Sequence, residues 1–125
     1  MMKEKKTMDR RVHQMKLNPL PFEMINKGQK TIELRLFDEK RRQIKIGDEI
    51  VFTDKQSGQT LRTIVSNLYR FADFEELYHS LPLKCCGYTE EALSRAKAED
   101  MEAYYSLEEQ QKYGVLGIEI RKVAD

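Results

Sequence analysis

The amino-acid sequence predicts an α+β fold, built as a small, mostly antiparallel β-barrel or strongly curved sheet. Three observations predict it. Five or six short segments alternate apolar and polar residues and are separated by turn residues. A single short segment between the first two of these has helical spacing. Across residues 73–113 the period becomes helical, and a last strand then closes the chain. Alternating βαβ units do not fit this order.

The elements follow in sequence. Val12 to Leu17 alternates as a first strand. Asn18-Pro19 reads as a cap followed by proline in the first turn, opening a helix over 19–26. Leu20 with Met24, and Phe22 with Ile25, give it an apolar face, and Gly28 stops it. Thr31 to Leu36 is the clearest strand: Ile32, Leu34 and Leu36 point one way, and Thr31, Glu33 and Arg35 the other. Residues 38–43 are a charged turn, and Ile46-Gly47-Asp48 leads into a strand over 49–53. Gln56 to Gln59 is a hairpin turn into a long strand over 60–68. Asp73 caps a helix carrying Phe74, Leu77, Tyr78 and Leu81, which Pro82 ends. A second helix is expected over 90–103, with Ala92, Leu93 and Ala96. Ser106 and Glu109 match a capping box, so a third runs to Tyr113 and stops at Gly114. Val115 to Val123 is the last strand, with Leu116, Ile118 and Ile120 on one side.

The 125 residues suit one domain over 11–125, preceded by a flexible, basic tail over 1–10. Charged residues make up 34% of the chain yet nearly cancel, to a net +1, so net charge does not announce a nucleic-acid binder. Their distribution is more informative. Residues 27–45 hold seven bases and three acids, a net +4, whereas residues 73–109 hold ten acids and three bases, a net −7. One part of the chain can attract phosphate while another repels it. No apolar run is long enough to span a bilayer, and the charged start lacks the apolar stretch of a signal peptide. Cys85 and Cys86 are adjacent, without C-x-x-C spacing, and read as reduced thiols in a cytoplasmic protein. His13 and His79 have no partners at ligand spacing, so neither a metal nor any other cofactor is expected.

The stretch from Gly28 to Arg35 carries the chemistry. Lys30 sits at the mouth of the strand, and Glu33 and Arg35 share one of its faces, so three charged groups converge on a rigid element. Arg offers a planar fork suited to phosphate or a base edge, Glu can accept from an exocyclic amino group, and Lys can contact phosphate or, if desolvated, act as a base or nucleophile. On periodicity alone the same face also suits an ordinary solvent-facing strand. Lys40-Arg41-Arg42 beside it suits backbone phosphates or a solvated turn. Tyr104 and Tyr105 are candidates for stacking a base, with a core role the stronger reading for one of them.

The pattern G-x-K-x-x-E-x-R after a short helix (Gly28, Lys30, Glu33, Arg35), with Gly47-Asp48 leading into a strand, resembles the ASCH domain. Tyr104-Tyr105-Ser106 to Tyr113-Gly114-Val115 resembles the end of small bacterial ASCH proteins, and the resemblance covers about residues 12–122. It implies a PUA-like β-barrel with a cleft lined by the motif, and a protein that binds RNA or a nucleotide. A few small bacterial members are amidohydrolases acting on N4-acetylcytidine, in which the motif lysine is catalytic and a threonine three residues later assists. Lys30 matches that lysine, while Glu33 stands in the threonine's place. The expectation is therefore an RNA- or nucleotide-binding protein, monomeric, whose site comprises Gly28, Lys30, Glu33, Arg35, Lys40, Arg41, Arg42, Tyr104 and Tyr105. A nucleoside amidohydrolase using Lys30 and Glu33 is the alternative, and a protein-interaction module using the acidic helices ranks last.

Overall fold

The computed structural model describes residues 10–124, so all but the last residue of the expected tail over 1–10 lies outside the described residues. Strand β1 (Val12–Leu17) leads into helix α1 (Pro19–Asn26), strand β2 (Ile32–Leu36), a 3₁₀ turn (Arg41–Gln43), and the hairpin of β3 (Glu49–Asp54) and β4 (Thr60–Phe71). An insertion follows: α2 (Phe74–Ser80), a 3₁₀ turn (Leu83–Cys86), α3 (Glu90–Leu93), a 3₁₀ segment (Ala98–Ala103) and α4 (Leu107–Tyr113). Strand β5 (Val115–Lys122) ends the order.

The five strands form one curled sheet in the order β1-β3-β4-β5-β2. Every pairing is antiparallel except β1 with β3, so the mostly antiparallel expectation holds. Residues near the ends of local elements behave as their chemistry dictates. Asp73 accepts from the Glu76 amide, and Ser106 and Glu109 form the reciprocal capping box. Asn18 precedes α1 with proline behind it, but its side chain makes no capping bond. Asp48 ties the start of β3 to its neighbours. It accepts from the Arg11 and Lys45 amides, and its other contact is His13 Nε2 at 2.8 Å.

The sheet buries side chains on both faces. On its concave side Met15, Leu17, Ile50, Phe52, Val65, Leu116, Ile118 and Ile120 pack with Phe22 and Ile25 of α1. On the other side Ile32, Leu34, Leu36 and Val115 pack with Phe74, Leu77 and Cys86 of the insertion. Strand β5 therefore feeds both cores. At Gly117 a Cβ would stand 2.8 Å from Leu81 Cδ1 and 3.3 Å from Ile32 Cγ2, so any larger residue there would have to displace the Leu81 side chain.

Three expectations are corrected. The helix expected over 90–103 breaks into α3 and the 3₁₀ segment Ala98–Ala103, with Lys97 extended between them. This stretch has no continuous apolar face (Leu93 is exposed), and the Asp100 side chain takes the Lys97 amide in a local cap that competes with the helix. Leu20 does not join the apolar face of α1 and is 71% exposed. Strand β4 runs three residues beyond Leu68, because a bulge between Val65 and Asn67 shifts its register and lets it stay paired with β5 to Phe71.

Candidate functional site

Strands β1 and β2 are the two outer strands of the sheet, and no ladder joins them. The curl nevertheless brings them within side-chain reach. Arg35 Nη2 donates to the Lys16 carbonyl at 3.0 Å, and Lys40 Nζ donates to the Gln14 carbonyl at 2.9 Å. Polar side chains of β2 and its neighbours thus occupy edge carbonyls that would otherwise invite another strand. A cleft of about 470 Å³ opens beside this seam, between the start of α1 and the insertion. That volume suits a small organic ligand.

Glu33 and Arg35 pair with Ile118 and Leu116 of β5 and so share the concave face with them. The alternating charges of β2 are therefore not turned to open solvent. Glu33 is only 4% exposed. Its two oxygens are both taken: Oε1 lies 2.8 Å from Lys30 Nζ, and Oε2 accepts from Arg35 Nε at 2.6 Å. Burial by itself would raise the Glu33 carboxyl, but Lys30 and Arg35 outweigh it and hold the group below its usual range. The three residues form a row of two cations about one buried anion.

The insertion places Lys30. The Thr31 amide donates to the Cys85 carbonyl at 2.8 Å, which docks the loop after α1 on the Leu83–Cys86 turn. The Lys30 stem then runs over Gly87, whose absent Cβ would stand 3.3 Å from Lys30 Cδ. Gly87 also has φ of +110°, so two constraints favour glycine there.

The opposite wall comes from the insertion, through Tyr78, Tyr88, Asp100, Tyr104 and Tyr105. Tyr88 donates its hydroxyl proton to Asp100 Oδ2 at 2.7 Å and stands 2.6 Å from the Tyr78 hydroxyl. Since Tyr88 has one proton and gives it to Asp100, Tyr78 is the donor of the second bond. A directed chain, Tyr78 to Tyr88 to Asp100, therefore holds the carboxylate against the cleft. Burial, together with its bond to Asp100, pushes the Tyr88 phenol well above its usual range, so it stays neutral. Tyr105 stacks on Phe74 with ring centroids 6.0 Å apart, while Tyr104 is 67% exposed at the cleft.

The structure thus brings together Lys30, Glu33, Arg35, Tyr104 and Tyr105. It does not bring the others there. Gly28 lies outside the cleft lining, in a second groove. Lys40 is held by the Gln14 carbonyl. Arg41 pairs with Asp38 at 2.9 Å, and Arg42 donates to the Phe37 carbonyl at 3.2 Å and lies over its ring. Sequence reasoning missed Tyr78, Tyr88 and Asp100 as one unit. They are spread over 23 positions of an insertion with little regular structure, and no spacing links them. Among the described residues no group of His, Cys, Asp and Glu could hold a metal ion, and no helix is long and apolar enough to cross a membrane.

Comparison with known proteins agrees with the fold. A family model described as the ASCH domain matches residues 15–124. The crystal structure of hypothetical protein PH0355 is 32% identical, with a TM-score of 0.75, and the match covers 90% of this chain and 99% of that one. Protein PF0455 from Pyrococcus furiosus is 31% identical, with a TM-score of 0.69, over 91% of this chain and 99% of that one. The ASCH protein from Zymomonas mobilis shares the fold at 15% identity, with a TM-score of 0.60, over 90% of this chain and 68% of that one. No curated protein matches the chain.

Proposed function

The chain belongs to the ASCH domain family, and from that premise we propose that its cleft binds one base of an RNA or nucleotide. The observation that carries this reading is the pairing of a fixed cationic row with an aromatic wall in one cleft of about 470 Å³. Bases need a flat apolar surface and a few fixed polar groups, and the exposed Tyr104 ring offers the first. On one side Lys30 and Arg35 offer donors for base carbonyls and ring nitrogens. On the other, Asp100 offers an acceptor for an exocyclic amino group, as carboxylates do for cytosine.

This arrangement reassigns the acceptor role. Both oxygens of Glu33 are occupied by Lys30 and Arg35, so Glu33 sets the positions of the two cations and Asp100 meets the ligand. The same occupancy favours binding over amide hydrolysis, because Lys30 is held in an ion pair 2.8 Å from Glu33 rather than presented as a nucleophile.

An amide NMR titration with short single-stranded RNA tests the reading. Shifts are expected at residues 30–35, 87–88 and 100–105, weakening as salt rises. Absence of shifts at millimolar RNA would overturn it, and turnover of N4-acetylcytidine that is lost in Lys30→Ala would replace it with the hydrolase.

A further inference from the structure

A second groove of about 350 Å³ lies between the end of α1 and the end of β5. It is lined by Ile25, Asn26, Lys27, Gly28, Lys30, Thr31, Ile120, Arg121 and Lys122, which include four cations and no carboxylate. In a chain whose net charge is only +1, a concave surface with four positive groups, of which only Lys30 is matched by a buried carboxylate (Glu33), is a local excess.

Two features make this groove suitable for an anion. Two carbonyls at the end of α1 are already used, which reduces their opposition to an anion: Met24 O accepts from the Gln29 and Lys30 amides, and Ile25 O from Gly28. Three of the four cations are also loosely held, Lys30 being the exception through its ion pair with Glu33. Lys27 Nζ is 4.0 Å from Glu23, in a pair whose side chains are both more than half exposed, and Arg121 and Lys122 are exposed. Such contacts contribute little and leave the ammonium groups able to turn to a ligand.

Lys30 lines both the groove and the cleft. The motif therefore divides between them: Gly28 and Lys30 face the groove, and Lys30, Glu33 and Arg35 face the cleft. We propose that the groove holds a phosphate of the same ligand whose base enters the cleft, so that this protein selects a phosphorylated nucleotide or an RNA strand over a free nucleoside. This inference rests on the base-binding reading of the cleft. It adds that recognition has two parts, with Lys27, Arg121 and Lys122 answering the backbone and the cleft answering the base. Backbone contacts of this kind set position and affinity without reading sequence.

The test is calorimetric titration at low salt. Ligands are the four nucleosides, their 3′- and 5′-monophosphates, and the corresponding dinucleoside monophosphates. The proteins are the wild type and the double variant Lys27→Glu/Lys122→Glu, whose sites are exposed and whose melting temperature is checked alongside. The expected result is that phosphorylated ligands bind the wild type at least tenfold more tightly than the best nucleoside. The double variant loses that advantage and binds the nucleoside as before. Monophosphates tighter than dinucleotides identify a free nucleotide as the ligand, and the reverse identifies an RNA strand. Nucleosides and phosphorylated ligands of equal affinity, or an advantage that survives in the double variant, overturn the groove while leaving the cleft reading intact. If none of the ligands binds at millimolar concentration, both fall.

Discussion

Arg35 Nε donates to Glu33 Oε2 at 2.6 Å while its Nη2 reaches the Lys16 carbonyl at 3.0 Å, so one guanidinium joins the buried carboxylate of β2 to the facing edge of β1. The floor of the cleft and the closure of the sheet are consequently the same interaction. Alteration of this row is expected to affect stability and binding together.

Glu33→Gln keeps the shape and removes the charge between Lys30 and Arg35. Two partly buried cations then face each other without a counter-ion. Breaking a buried ion pair in this way costs about 3–5 kcal/mol. Urea denaturation should show a loss of that size with an unchanged slope. A loss below about 1 kcal/mol would mean that the row is better solvated than its burial indicates.

The pH dependence follows in sign from the same residue. The Glu33 carboxyl lies below its ordinary 4.5 in the folded protein. Its contribution is therefore complete above about pH 4.5 and is lost as pH falls through the lower, folded value. The stability gap between wild type and Glu33→Gln should be constant from pH 8 to 5 and narrow in more acid solution. Asp48, Glu49 and Asp54 are also held low, so the wild type alone will decline with acid, and only the gap isolates Glu33. A gap that widens below pH 4.5 would contradict the assignment.

Tyr88→Phe removes the bond to Asp100 and the acceptor for Tyr78. With about 0.5–1.5 kcal/mol for each hydrogen bond, a loss of roughly 1–3 kcal/mol is expected. Asp100→Asn keeps the cap geometry and changes the acceptor. Among the four nucleotides, those with exocyclic amino groups should weaken in Asp100→Asn relative to the uridine nucleotide, as measured by fluorescence or calorimetric titration. Equal weakening for all four would place Asp100 in the scaffold alone.

Burial pushes the Cys86 thiol up to about 12, against a smaller opposing pull from Lys30. At pH 8 about one molecule in 10⁴ then carries the thiolate there, and the thiolate is the reactive form. Cys86 should resist iodoacetamide in the native protein and react at an ordinary rate in urea, followed by mass spectrometry of peptides in a Cys85→Ser background. Rapid native labelling of Cys86 would show that the cleft wall opens.

Most of the local structure was legible in the residues. The alternation of β2, the proline-led start of α1, the caps at Asp73 and Ser106 and the stops at Gly28 and Gly114 are short-range effects, and each appears where its chemistry places it. The broken helix after Glu90 was not legible, because the separate 3₁₀ start at Ala98 depends on Asp100 turning back to the Lys97 amide while also meeting Tyr88.

The sequence by itself determined that Ile32, Leu34 and Leu36 must lie on one side of a strand and Glu33 and Arg35 on the other, since a period of two is a property of the backbone. Only the tertiary structure decided what covers each side. The apolar side lies under the insertion, and the charged side is folded into the curl against β1, where Glu33 loses its water and finds two cations. It also decided that Asp100, sixty-seven positions beyond Glu33, stands across the same cleft. Periodicity fixes directions along one element, whereas burial and the meeting of distant side chains depend on how the whole sheet curls.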